Sequence, residues 1–316
     1  MTTPFDRYTA FRSTFPRPPR LTRHTVRARG LDFAVWTTPP VPGAVPLACV
    51  NGGLLYGHRS LWPTLAPLAE RRQLVLYDQR GRGKSAQPPG VRAARIEHDA
   101  LDLVALRQAL GVRTWDVLGH SWGGGIAMLA SAHEASTPPA TGVRRLVLVD
   151  AVGADGRWLA GLHDRALERL ALTDSAARDA LAAFDPRRLY EPDVTYHARY
   201  ARAFHPAWFA DGRLAPRFAP PLDASVTGVT IAARLRRDSY DWSGVVRALQ
   251  VPTLLLHGDT DVLDPAVARA TAALLQAPAV TTLPGAGHMP FWEAPAEFFA
   301  AVEFFLGAPT LPTANG

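Results

Sequence analysis

The chain of 316 residues is 47% hydrophobic and 20% charged, with a mean hydropathy of -0.02. That composition excludes wholesale disorder and fibrous repeats, and lets a globule bury about three quarters of its unfolded surface. The net charge of +6 is carried by seven arginines against Asp6 in the first 30 residues, ahead of a balanced body, so no distributed nucleic-acid footprint exists and no nucleic-acid partner is expected.

The first 20 residues mix Pro, Arg and Thr without the apolar stretch of a secretory signal, and residues 1–23 are expected to be a solvated basic arm on a cytoplasmic protein. Three β-prone stretches follow at residues 24–28, 31–36 and 45–50, separated by Gly30 and by the Pro-rich run 37–43. Helix candidates at 61–70, 96–110 and 124–135 then alternate with compact apolar runs at 74–77, 115–118 and 146–149. Continuous apolar strands between helices indicate a mostly parallel sheet buried on both faces, hence an α/β fold.

After Asp150 the alternation stops. Residues 154–240 are rich in Ala, Leu and Arg and are broken by Pro186, Pro192, Pro206, Pro216, Pro220 and Pro221, which predicts an inserted helical cap. The rhythm resumes with a strand at 253–257, a helix at 265–276, a strand at 280–283 and a helix at 295–306, before a frayed tail. The core is therefore expected from 1–153 and 241–316. No apolar run approaches the ~18 residues of a membrane helix, so no membrane partner is expected. The single cysteine, Cys49, reads as a buried strand residue and offers neither an internal disulfide nor a metal cluster.

The sharpest chemical signal is Gly119-His120-Ser121-Trp122-Gly123, which follows an apolar strand and opens a helix. That is the context of a nucleophile elbow, in which the serine projects from a strained turn and its neighbours two positions away must be small. A serine nucleophile needs a base. His288, in the Gly-rich loop Pro284-Gly285-Ala286-Gly287-His288-Met289-Pro290 after the last strand, is placed to reach back over the sheet edge. The other histidines lie on strands, helices or cap segments and read as structural, with His58 less settled because it follows a glycine turn. The base needs an orienting carboxylate. Asp261, at the end of His257-Gly258-Asp259-Thr260-Asp261, is preferred over Asp259, which is expected to organise the turn, and over Asp150 at the end of strand 146–149. Two backbone amides are expected to hold the oxyanion, that of Trp122 and that of Gly53 in the turn Asn51-Gly52-Gly53-Leu54. Leu54, Leu55, Trp122, Met289 and Phe291 flank this chemistry and are expected as substrate-binding walls, and the cap aromatics are candidates for its roof. The run Gly83-Lys84-Ser85 imitates the end of a P-loop, but Asp78 stands where that motif needs glycine. No cofactor and no metal is expected.

These residues, in the order Ser121, Asp261, His288, resemble the α/β-hydrolase superfamily over nearly the whole chain. Within it the sequence is most similar to the proline iminopeptidase group and its esterase relatives. Tyr77-Asp78-Gln79-Arg80-Gly81-Arg82-Gly83-Lys84-Ser85 matches that group's D-Q-R-G-x-G-x-S loop. The group's H-G-G-P-G turn stands here as Asn51-Gly52-Gly53-Leu54-Leu55, and the cap acids Glu168, Asp185, Glu191 and Asp193 match no amine-reading pattern. The resemblance implies a serine hydrolase cleaving a small ester, amide or short peptide through an acyl-enzyme. A cofactor-free lyase or a ligand receptor on the same fold is the alternative.

Overall fold

A computed structural model describes residues 2–134 and 141–307. The expected tail and the end of the helix predicted at 124–135 lie outside the described residues. Eight strands form one sheet in the order β1-β2-β4-β3-β5-β6-β7-β8. β1 (Thr22–Ala28) and β2 (Leu31–Thr37) make an antiparallel hairpin. Its turn has Arg29 at φ 44° and Gly30 at φ 78°, the doubly left-handed conformation that matches strand twist. β2 is also antiparallel to β4 (Leu74–Tyr77). From β4 onward every pairing is parallel, through β3 (Leu47–Val50), β5 (Thr114–His120), β6 (Gly142–Val149), β7 (Thr253–Gly258) and β8 (Ala279–Leu283).

The uninterrupted apolar strands are explained by two cores, one on each face. On β3, Ala48 and Val50 enter one core while Leu47 and Cys49 enter the other; on β6, Leu146 and Leu148 alternate with Val147 and Val149. The first core is closed by α2 (Ile96–Ala109) and α3 (Trp122–Glu134), and the second by α11 (Pro295–Gly307).

Between β6 and β7 lie α4 (Leu162–Thr173), α5 (Ser175–Ala182), α6 (Val194–Phe204), α7 (Val226–Arg237) and α8 (Ser243–Arg247). α4 buries Leu162, Ala166 and Leu170, one face at four-residue spacing. They join Leu181, Leu189, Tyr196, Tyr200 and Phe204 in a core belonging to the insertion itself.

Three expectations need correcting. Residues 61–70 do not form an α-helix. They carry short 3-10 turns, Ala66–Glu70 among them, because Pro63 and Pro67 remove backbone donors that a helix would use. The helix expected at 265–276 is only α9 (Ala266–Ala272). The basic arm is not free in solvent: α1 (Pro4–Thr14) is closed by a Thr3–Asp6 capping box. Tyr8 of α1 packs edge-on to Phe218 and Trp292, Phe11 stacks on Phe299, and Arg7 Nη1 donates to Pro284 O at 2.8 Å. The signal was present as aromatics at positions 5, 8, 11 and 15. The arginines between them masked it.

Candidate active site

Ser121 stands between β5 and α3 at φ 54°, a left-handed conformation that a non-glycine residue rarely adopts. Its N–H donates to Val149 O at 2.9 Å, and its carbonyl accepts from Gly124 at 2.9 Å and Val152 at 3.3 Å. The flanking glycines are required by close packing. A Cβ on Gly119 would strike the Gly123 carbonyl, and one on Gly123 would overlap the Val50 carbonyl. The turn therefore presses against β3 and lifts the serine to the carboxyl edge of the sheet.

His288 and Asp261 meet at that edge. His288 Nδ1 donates to Asp261 Oδ2 at 2.7 Å, and Asp261 Oδ1 accepts from Leu263 N at 3.0 Å. Burial alone would raise the Asp261 pKa, but the facing His288 and its hydrogen bond outweigh it and hold the carboxyl below its usual range. The loop bearing His288 is fixed on several sides. His120 Nε2 donates to His288 O at 2.9 Å, and His288 N donates to Trp208 O at 2.8 Å. Trp208 also stacks on the imidazole, with ring centroids 4.1 Å apart. Asp259, the turn-organising acid of the sequence reading, accepts from Gly285 N at 2.6 Å. Glu293, on α10 (Pro290–Glu293), accepts from Gly287, Ala210 and Asp211, tying the loop to the insertion between α6 and α7. Ser121 and His288 line one cavity. Among the described residues no hydrogen bond joins Oγ to Nε2, a contact that often tightens only when substrate is present.

Asp150 lies against Asp261. Burial, and then the Asp261 charge, push the Asp150 pKa well above its ordinary value. Its Oδ1 accepts from Gly258 N at 2.9 Å. Asp150, His257 and Asp261 bring their ligand atoms within 4.8 Å of one another, and are the one such group among the described residues. A cation there would compete with His288 for Asp261.

Gly53, at φ 80°, and Leu54, at φ 51°, make the turn after β3. A Cβ on the neighbouring Gly52 would collide with Ser121 Cβ and the His120 carbonyl, so the turn lies directly against the elbow. Among the described residues neither the Gly53 nor the Trp122 amide is engaged by an acceptor. The 78–85 loop, which contains the Gly83-Lys84-Ser85 run, has a structural place beside the turn after β3. Here it braces this turn: Gln79 Nε2 donates to Asn51 O at 2.7 Å, while Asn51 Nδ2 donates to Tyr56 O at 2.9 Å. Asp78 accepts from the backbone of His58 and Lys84 and from the His58 ring, which stacks on Trp36. Gly83 is needed because a Cβ would fall on the Asp78 carboxylate. His58 is thus structural.

The cavity above Ser121 is walled by Leu54, Leu55, Trp122 and Met289, and roofed by Trp158, Tyr200, Phe204 and Trp208 of the insertion. Phe291 is not a wall. It is 1% exposed and packs in the core below, edge-on to His120 and Phe298. Tyr190, Tyr196, Phe209, Tyr240 and Trp242 also do not line the cavity. Nor do the cap acids. Asp185 is held by Arg187, and Asp193 caps α6. Among the described residues no Asp or Glu lines this cavity.

Residues 45–295 match the model of the alpha/beta hydrolase fold family. The chain is 25% identical over 270 residues to the proline iminopeptidase of Lactobacillus helveticus, covering 83% of this chain and 89% of the relative. Solved structures with the same fold include the proline iminopeptidase of Mycobacterium smegmatis (TM-score 0.63, 22% identity, 90% and 98% of the two chains). Another is an esterase from Exiguobacterium antarcticum (TM-score 0.62, 18% identity, 91% and 100%). No described helix is long and apolar enough to cross a membrane. With the family model spanning most of its length, the chain belongs to the alpha/beta hydrolase fold family and is an α/β-fold hydrolase enzyme.

Proposed function

We propose that this enzyme is a serine esterase working through an acyl-enzyme, with Ser121 as nucleophile, His288 as base, and Asp261 as the acid that orients it. In this reading His288 Nε2 takes the Ser121 proton as Oγ attacks the ester carbonyl. The Nδ1–H bond to Asp261, 2.7 Å long, stabilises the resulting imidazolium. The amides of Gly53 and Trp122 receive the oxyanion. Collapse of the intermediate expels the alcohol, which takes the proton from Nε2. Water, deprotonated by the same nitrogen, then attacks the acyl-enzyme, and its collapse releases the acid and frees Oγ to recover the proton.

The observation that favours an ester over an N-terminal prolyl substrate is the lining of the cavity, which is mostly apolar and, among the described residues, offers no carboxylate to receive a substrate ammonium. Similarity to the Lactobacillus helveticus proline iminopeptidase supports the peptidase as the second reading. Steady-state hydrolysis of p-nitrophenyl esters and of prolyl-p-nitroanilide separates the two. Esters are expected to turn over at least tenfold more efficiently, and the opposite order would replace this reading with the peptidase. Binding without turnover of either would point to a receptor.

A further inference from the structure

One cationic side chain in the cavity has no part in the chemistry described. Arg236, near the end of α7, shares the lining with Ser121 and His288, and among the described residues no other Arg or Lys does so. Its Nη1 donates to Ala232 O, one turn back on its own helix, at 3.2 Å. No carboxylate pairs with it among the described residues. Its polar surroundings are Tyr200, Tyr190 and His197. Burial keeps the His197 pKa below its ordinary value, and its Nε2 donates to Glu191 O. The guanidinium itself is pushed down by burial, with only the two tyrosines opposing. Arginine nonetheless stays charged in such a site.

The buried arginines of the core are treated differently. Arg82 meets Asp99, Arg80 meets Asp102 and Arg107 meets Glu134, each at 2.6 Å. A partly buried cation without a counter-ion costs desolvation energy that an incoming anion would recover. Position defines where that anion must sit. α7 starts over the oxyanion turn, since a Cβ on Gly228 would strike the Leu54 carbonyl. Ala232 and Arg236 follow at one-turn steps on the same face, and both line the cavity. At 1.5 Å per residue, Arg236 is about 12 Å further along the axis. Leu162, Leu189 and Phe204 lie among the apolar lining. Arg236 also borders an outer groove with Tyr190, Tyr240, Asp155 and Asp241, so an acid bound there keeps part of its hydration.

We propose that Arg236 selects substrates bearing a carboxylate at the far end of an apolar spacer: a half-ester of an α,ω-dicarboxylic acid, or an ester of an ω-hydroxy acid. The proposal rests on the ester reading above. Both sources present the same carboxylate, and they differ in whether it leaves with the acyl group or with the alcohol.

The test compares kcat/KM for mono-p-nitrophenyl suberate against p-nitrophenyl octanoate, and for ω-acetoxyhexanoate against hexyl acetate, in wild type, Arg236→Met and Arg236→Lys. The acid-over-neutral ratio is expected to fall about 10- to 100-fold in Arg236→Met in one arm, through KM, with partial rescue by Arg236→Lys. The arm that responds identifies the source. Equal ratios in wild type and Arg236→Met in both arms overturn the proposal. Calorimetric binding of free suberate to Ser121→Ala, with and without Arg236→Met, decides the role of Arg236 independently of turnover. Hydrolysis that survives Ser121→Ala would instead remove the serine-esterase reading while leaving the binding result intact. Thermal melts of each variant confirm that it folds.

Discussion

Buried charge is handled in opposite ways beside the sheet and beneath the cap. Next to β4, Arg80 and Arg82 are almost fully buried, and each is matched by a carboxylate from α2, Asp102 and Asp99. Beneath the cap, Arg236 has a carbonyl of its own helix and no acid. The first arrangement is closed on itself and holds the 78–85 loop that braces the turn after β3. The second leaves a charge for something that is not part of the chain. Pairing therefore separates arginines that build the site from one available to a ligand, although composition treats all of them alike.

The largest effect that could break this division concerns the chemistry common to both regions. Ser121→Ala is expected to lower ester turnover by about 10⁴-fold or more and to abolish labelling by a fluorophosphonate. Surviving labelling would place the nucleophile elsewhere. Next comes the closed pair. Arg82→Met strands the Asp99 carboxylate, whose pKa burial already raises to about 6, and is expected to cost about 3–5 kcal/mol in urea unfolding. The double variant Arg82→Met/Asp99→Leu should recover much of that loss. A single-variant cost below about 1 kcal/mol would show that the core pairs are not what distinguishes this region.

A smaller effect, set by pH, tests the His288 loop. Burial first, and then the His288 charge, lower the His120 pKa to about 3, against about 6.5 in the unfolded chain. The folded-state value is depressed, so the unfolded chain binds the extra proton. The stability this group contributes is complete above about pH 6.5 and drains as pH falls toward 3, by about 1.4 kcal/mol per pH unit at its steepest. His120→Gln, which keeps a donor for His288 O, should flatten the dependence of unfolding midpoints between pH 4 and 6.5. An unchanged slope would assign the acid sensitivity to other groups. Smallest of all is the division between wall and core residues. Phe291→Leu should lower stability by about 1–2 kcal/mol with KM nearly unchanged, whereas Met289→Ala should shift KM for long-chain esters several-fold with a smaller cost in stability. A KM effect from Phe291→Leu matching that of Met289→Ala would return Phe291 to the cavity.

The parts of the site legible in the sequence were those imposed by local backbone geometry. Ser121 sits at a left-handed turn that tolerates only glycine two residues to either side, and Gly119 and Gly123 record that demand directly. Asp261 and His288 were readable because each follows a strand whose apolar run marks the sheet edge. Phe291 was misjudged because nearness in sequence to His288 does not determine which way a side chain points once α10 turns it into the core. The 61–70 segment was misjudged because its leucines do pack in the core, so the hydrophobic pattern was sound while the prolines chose another backbone.

What the sequence determined alone is the order of the strands, the two-faced burial of the sheet and the presence of a serine, an acid and an imidazole in the loops at its carboxyl edge. All of these are written in periodicity and in short-range steric rules. Tertiary structure alone decided that Gln79 would hold the turn after β3 and that α1 would fasten to Phe218 and Trp292. It also decided that, among the described residues, no acid would face the cavity and that Arg236 would. The physical reason is that each is a relation between groups dozens to hundreds of residues apart. A pairing, or the lack of one, exists only when the chain has brought both sides together, and no local pattern encodes which buried charge will be left without a partner.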